Sequence, residues 1–80
     1  MQKIITVNET MRNGATCVAV HRNGNEGVVL ARTEGNSKFA TWAFNTEDEG
    51  GTYSGNYFVS GYEAMEDYIR RVAKTFGITN

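Results

Sequence analysis

Cys17 and His21 are the single cysteine and single histidine of the chain, and a thiol touching an imidazole would make a nucleophile with its base. Four residues apart in one strand-like stretch, they share a strand parity and lie about 13 Å apart along it, out of contact. Zinc would need further ligands from elsewhere in the chain. A packed thiol and a histidine flanking a hairpin is the simpler reading. Glu47, Asp48 and Glu49 form the densest charge cluster. Three carboxylates in a row suit a hard cation, a basic partner or mimicry of a phosphate backbone, but the Asp/Asn-Gly alternation of a calcium loop is missing. Gly50-Gly51 and Gly55 lack the lysine-serine pair and the helix start of a phosphate-cradling loop. The paired glycines serve the turn after the acids, and Gly55 lets Trp42 or Tyr57 pack over the backbone or marks a bulge. Trp42, Tyr53, Tyr57 and Tyr62 are residue types that stack bases, anchor interfaces or fill a thin core. Of these, Tyr53 and Tyr57, together with Phe39, are expected to mark a contact surface.

Eighty residues make one domain, residues 1–80, with little room for a large buried catalytic cleft. A net charge of −1 and a pI near 5.7 lack the basic footprint of a general nucleic-acid binder. One cysteine forms no internal disulfide, which points to a reducing compartment. No apolar run approaches the ~20 residues of a membrane span, and Met1-Gln2-Lys3 leads into a β-branched run rather than a signal-peptide core. These features predict a soluble, cytoplasmic protein.

The elements that must position the candidates are marked by turns. Residues 4–7 read as a first short strand, with Asn13-Gly14 as a turn. Residues 15–22 and 27–32 are strands around Asn23-Gly24, a pair suited to a type I′ hairpin. After Gly35-Asn36 comes the aromatic strand 38–45, then the acidic turn, then strand 52–58. Ser60 and Glu63 form a capping box, and Met65, Tyr68, Ile69, Val72, Ala73 and Phe76 recur at helical spacing. Gly77 stops that helix. Glu66 with Arg70 and Asp67 with Arg71 are acid-first i,i+4 surface pairs. The predicted fold is α+β: an antiparallel meander of four to five strands with one C-terminal amphipathic helix on one face. Alternation assigns Val18, Val20, Val28, Leu30, Trp42, Phe44 and Phe58 to the helix side. It leaves Ala19, Val29, Ala31, Phe39, Ala43, Tyr53 and Tyr57 on an uncovered face, with a bulge at Gly55 able to flip half of the last strand.

Over residues 42–73 the chain resembles two groups. Trp42-Ala43-Phe44, Gly55-Asn56-Tyr57-Phe58, Ser60-Gly61-Tyr62-Glu63-Ala64 and Tyr68 resemble the strand-strand-helix part of Apetala-type and phage-integrase DNA-binding domains, whose three-stranded sheet reads a groove. Where that family presents arginines, these strands carry mainly Lys38, Thr41, Asn45, Thr52 and Ser54. The same stretch is similar to small uncharacterised proteins of bacteriophages and mobile elements, a group that includes anti-CRISPR inhibitors. This second resemblance implies a compact non-enzymatic domain in the host cytoplasm that blocks a larger host protein, such as a nucleic-acid-binding effector. Glu47, Asp48 and Glu49 would then steer toward Lys and Arg, while Phe39, Tyr53 and Tyr57 supply contact area. Self-association through that surface is an equal reading. The alternative is a small sheet-based nucleic-acid-binding accessory protein using Arg32, Lys38 and Trp42. Neither reading calls for a cofactor, a metal or a catalytic set.

Overall fold

The structure, a computed structural model, describes residues 5–11, 13–34, 38–48 and 51–76. Four strands, β1 (Thr16–Asn23), β2 (Glu26–Arg32), β3 (Phe39–Asn45) and β4 (Thr52–Phe58), precede one helix, α1 (Gly61–Phe76). They pair in the order β1-β2-β3-β4, antiparallel throughout. The α+β meander read from the sequence is therefore present, with each described strand within a residue of its expected bounds. The fifth strand expected over residues 4–7 is not seen: Ile4 lies outside the described residues, and 5–7 run as coil into a turn.

The β1–β2 hairpin is framed one residue later than Asn23-Gly24. Asn23 pairs with Glu26, so Gly24-Asn25 is the two-residue loop. Gly24 alone takes a positive φ there, 66°, the position that a type II′ turn gives to glycine. Asn13-Gly14 turns as expected, with Gly14 at φ 91° and the Ala15 N–H donating to Asn13 Oδ1 at 3.0 Å. Thr33 N–H to Lys38 C=O, 2.9 Å, closes the β2–β3 loop. The Gly35-Asn36 turn itself falls outside the described residues.

Helix α1 starts where the capping box places it. Glu63 N–H donates to Ser60 Oγ at 3.4 Å, and Ala64 N–H to the Ser60 carbonyl at 3.1 Å. Gly77, its expected stop, lies outside the described residues.

Register, rather than apolar strength, decides which strand residues share a face. Antiparallel partners point the same way, and β2 sets Val29 against Trp42, Ala31 against Ala40 and Gly27 against Phe44. Trp42 and Phe44 therefore join Val29 and Ala31 on the face away from α1. The helix side carries Val28, Leu30, Phe39, Thr41 and Ala43 instead. The parity expected from sequence is thus overturned for Trp42, Phe44, Phe39, Ala19 and Ala43, for Val20, which pairs with Val29, and for Tyr53, which pairs with Ala43 on the helix side while Tyr57 pairs with Ala40 on the other. A second irregularity, a register shift between Cys17 and Ala19, leaves Val18 40 % exposed rather than in the core. It also sets Cys17 opposite Ala31 and His21 opposite Val28, so the two lie on opposite faces and not, as expected, on one.

The face away from α1 is not left uncovered. Residues 8–11 fold back along the start of β1: Asn8 N–H donates to the Cys17 carbonyl at 2.8 Å, Cys17 N–H to Glu9 at 2.9 Å and Met11 N–H to Ala15 at 2.7 Å. This arm brings Ile5, Met11 and Ala15 into one buried cluster with Cys17, Val29, Ala31, Ala40, Trp42 and Phe44. Val28, Leu30 and Ala64 are buried on the helix side. The sheet thus has two thin cores, one sealed by α1 and one by the arm. Met11→Ala is expected to lower stability by about 2–5 kcal/mol, as for a buried methionine. Val7→Ala, at an exposed site of the same arm, changes it by no more than ~0.5 kcal/mol. Urea unfolding followed by Trp42 fluorescence reads both, and equal small effects would mean that the arm is not part of the core.

Candidate functional site, an aromatic groove beside the β4 bulge

β4 is an edge strand whose inner residues, from Tyr53 to Tyr57, are all exposed. Its pairing with β3 slips once. Thr41 faces Asn56 and Ala43 faces Tyr53, so Ser54 and Gly55 together stand opposite Trp42. This is the bulge anticipated at Gly55, and Ser54 takes a left-handed φ of 55°. The absence of a Cβ at Gly55 is what admits the indole: a Cβ there would lie 2.5 Å from Trp42 Nε1 and 2.8 Å from its Cδ1. Tyr57 then meets Trp42 edge to face, with ring centroids 5.9 Å apart at 83°, a favourable aromatic geometry.

An open groove of about 690 Å³ runs along this face. Trp42, Tyr57 and Gly55 form its aromatic side, Tyr53 borders it from a position paired with helix-side Ala43, and Asn13, Thr33, Glu34, Thr52 and Ser54 supply polar groups. Asn13 Nδ2 donates to Thr52 Oγ1 at 3.3 Å, joining the Asn13-Gly14 turn to the start of β4. Tyr53 is 50 % and Tyr57 60 % exposed, whereas Trp42 is only 7 % exposed. Trp42 serves as a backing that fixes Tyr57, and the tyrosines are the surface. Such a groove can take a planar or apolar side chain against the rings and satisfy its polar neighbours from the rim.

The other residues singled out by sequence are placed apart from it. Phe39 lies on the helix side, half-buried, with its ring over Gly61, where an added Cβ would come within 3.2 Å; it does not join Tyr57. Glu47 sits in a 3₁₀ turn, Thr46–Asp48, clamped to the β1–β2 loop. Asn25 Nδ2 donates to Glu47 Oε1 at 3.0 Å, Thr46 Oγ1 to Asn25 Oδ1 at 3.1 Å and Thr46 N–H to the Asn25 carbonyl at 2.8 Å. The Asp48 side chain and all of Glu49 fall outside the described residues. Arg32 and Lys38 are exposed at one end of the β2–β3 pair, while Trp42 is buried. Cys17 is wholly buried, and its thiol is pushed up to about 11 by burial and then by Glu9, far from thiolate chemistry. No group of three or more His, Cys, Asp or Glu is placed to hold a metal ion among the described residues. None of their helices is long and apolar enough to cross a membrane.

One set of residues that sequence reasoning treated as surface decoration holds β4 to α1. Asp67 points into the helix–sheet junction, where its Oδ2 accepts from the fully buried Thr41 Oγ1 at 2.5 Å and from Asn56 Nδ2 at 3.2 Å. Arg71 Nε lies 3.3 Å from the same oxygen, and the Arg71 guanidinium also donates to the Ser54 carbonyl at the bulge. Arg70 approaches Asp67 at 3.9 Å from an exposed position. The only sequence signal was the i,i+4 spacing of Asp67 and Arg71; that Thr41 would face them required the register of β3. Burial alone would raise the Asp67 pKa, but the hydrogen bonds from Thr41 and Asn56 and the charges of Arg71 and Arg70 outweigh it and hold the carboxyl below its ordinary value.

Compared with known proteins, the chain matches no family model, no curated protein and no solved structure.

Two expectations follow for this region. Because the folded Asp67 carboxyl titrates below the ordinary 3.8, its stabilisation is complete above that pH and is lost as pH falls through the folded value. Asp67→Asn should therefore destabilise the protein by about 1–3 kcal/mol at pH 7 and by less at pH 3. Urea midpoints at the two pH values check it, and an unchanged difference would show that the charge of Asp67 is not what matters. Gly55→Ala should displace the single tryptophan, shifting its emission to the red and costing about 1–3 kcal/mol through overpacking. An unshifted spectrum would contradict the seating of Trp42 on Gly55.

Proposed function

We propose that this chain is a non-enzymatic binding domain that occupies a site on a larger protein, in the manner of the mobile-element inhibitors that its sequence resembles. The observation that carries this reading is Tyr57, 60 % exposed on an edge strand and held against Trp42 before any partner arrives, with half-exposed Tyr53 across the bulge from it. Tyrosines lose little side-chain freedom on binding, and those held in one orientation lose less, which is why they dominate protein–protein hot spots. Trp42 and the bulge fix Tyr57, and the Arg71 contact to Ser54 fixes the backbone between the two tyrosines. The partner class implied by the resemblance is a nucleic-acid-handling host protein. Glu47, held outward by its clamp to Asn25, adds negative charge toward the basic channel of such a target.

The test begins with capture of partners from a bacterial lysate on tagged protein and their identification by mass spectrometry. Affinities are then measured for the purified partner with wild type, Tyr53→Ala/Tyr57→Ala and Glu47→Ala/Asp48→Ala/Glu49→Ala. Loss of two hot-spot tyrosines is expected to weaken binding by at least ~30-fold, with circular dichroism unchanged. Equal affinity of the tyrosine variant overturns the proposal, and equal affinity of the acidic-turn variant removes the electrostatic part of it.

A further inference from the structure

The helix leaves part of its apolar stripe, Met65 and Ile69, exposed. Its sheet-facing line runs through Gly61, Ala64, Tyr68 and Arg71, with Ala64 fully buried, while Tyr62 is 75 %, Met65 40 % and Ile69 59 % exposed. Two observations account for the rotation. Asp67 is drawn inward by Thr41 and Asn56, and Ala64, having only a methyl group, lets the helix backbone approach the sheet. Consecutive residues lie 100° apart around a helix, so pulling the Ala64–Asp67–Arg71 line inward turns Met65 and Ile69 out. The exposed residues, with half-buried Val72 behind them, fall at 62, 65, 69 and 72. This alternating spacing of three and four is a coiled-coil seam.

Among the described residues, no helix or strand covers the sheet beside that seam. Helix α1 packs on β2, β3 and β4 and leaves the helix side of β1, with Ala19 and His21 half-buried there, outside its main contacts. Four strands at ~4.8 Å spacing make a face about 19 Å wide, and one helix about 10 Å across covers only half of it. A second helix fits next to the first.

We infer that a second copy of this chain supplies that helix, with the two α1 helices packed antiparallel about a two-fold axis through the Tyr62–Met65–Ile69–Val72 seam. The charge order of α1 selects this occupant and this direction. Its amino-terminal half carries Glu63, Glu66 and Asp67, and its carboxy-terminal half carries Arg70, Arg71 and Lys74. Each helix is thus complementary to itself when reversed and repulsive to itself when parallel. Setting Met65 against Ile69 of the second copy places Tyr62 against its Val72. Arg70, exposed on the same flank as Glu66 but one position further from the seam, then lies on the side of Glu66 of the other helix, once on each side of the axis. The seam lies on the side of α1 toward β1, and the groove at Trp42 and Tyr57 lies on the other face of the sheet at the β4 edge, so this pairing stands independently of the proposed partner site.

Sedimentation equilibrium from 5 to 500 µM tests it. Wild type is expected at twice 8.9 kDa and Ile69→Glu at the monomer mass, with the same circular dichroism because Ile69 is largely exposed in its own fold. Arg70→Glu should weaken association roughly tenfold, two like-charge contacts replacing two attractive ones. Glu63→Arg/Glu66→Arg/Arg70→Glu, which exchanges the signs, should restore it. A wild type that stays monomeric at 500 µM overturns the inference and leaves the seam to a different protein. A dimer that survives Ile69→Glu, or an Arg70→Glu defect that the exchange does not repair, overturns the antiparallel helix contact.

Discussion

The central constraint on this molecule is that β2 is buried on both faces. From Gly27 to Ala31 every residue is inaccessible, and β3 is nearly so. Strands of this kind must lie in the middle of a sheet with cover above and below, yet the described chain has one helix to offer. The other cover is improvised from residues 5–11 and 13–15, which form no helix and no named strand, contribute Ile5, Met11 and Ala15 and hydrogen-bond their backbone to the start of β1. With both faces of the sheet's centre sealed, exposure is displaced to the margins. It appears along the edge strand β4 and along the side of α1 that turns away from the sheet.

Most of the element order was legible because local chemistry marks it: glycine at the turns, β-branched and aromatic runs between them, and Ser60 with Glu63 at the helix start. Face assignment was not, and the reason is specific. Alternation along one strand gives two equivalent sets, and only pairing decides which set of the next strand joins it. Grouping Val28 with Trp42 looks sound by apolar strength, but the partner of Trp42 is Val29. The shift between Cys17 and Ala19 then flips parity once more within β1, which no spacing in the sequence announces. Of the candidate site, Tyr57 and the role of Gly55 beside Trp42 were readable, since a glycine amid aromatics in a strand has few other uses, but the faces of Trp42 and Tyr53 were not. The separation of Phe39 from the tyrosines depends on register and was hidden for the same reason as the faces.

The helix shows how a few polar atoms override an amphipathic pattern. Spacing alone would turn Met65 and Ile69 to the sheet, burying the larger apolar area. Thr41 is the counterweight. It lies in the centre of β3 on the helix side and is fully buried, and a buried hydroxyl without a partner costs on the order of 1–3 kcal/mol. Asp67 satisfies it and recruits Asn56 and Arg71, so one orientation of α1 meets all four polar groups, whereas the fully apolar orientation strands Thr41. Ala64 makes the chosen orientation compact. Part of the apolar stripe, Met65 and Ile69, is then left facing outward as a consequence of internal hydrogen bonding.

The same network limits how the β4 edge can be used. An unprotected edge strand invites pairing with any extended chain, and a bulge is one of the means by which proteins prevent it. Here the bulge at Ser54-Gly55 breaks the straight run of N–H and C=O groups midway along β4, and Arg71 occupies the Ser54 carbonyl. A strand added at this edge would find its register interrupted after two or three residues and one acceptor already taken. Backbone augmentation is therefore disfavoured, and what β4 presents outward is side chains: Tyr57, braced by Trp42, and Tyr53 across a bulge whose Ser54 carbonyl is held by Arg71. Under the proposed function, the bulge that interrupts main-chain pairing at this edge leaves side chains, rather than backbone, as the means of recognition.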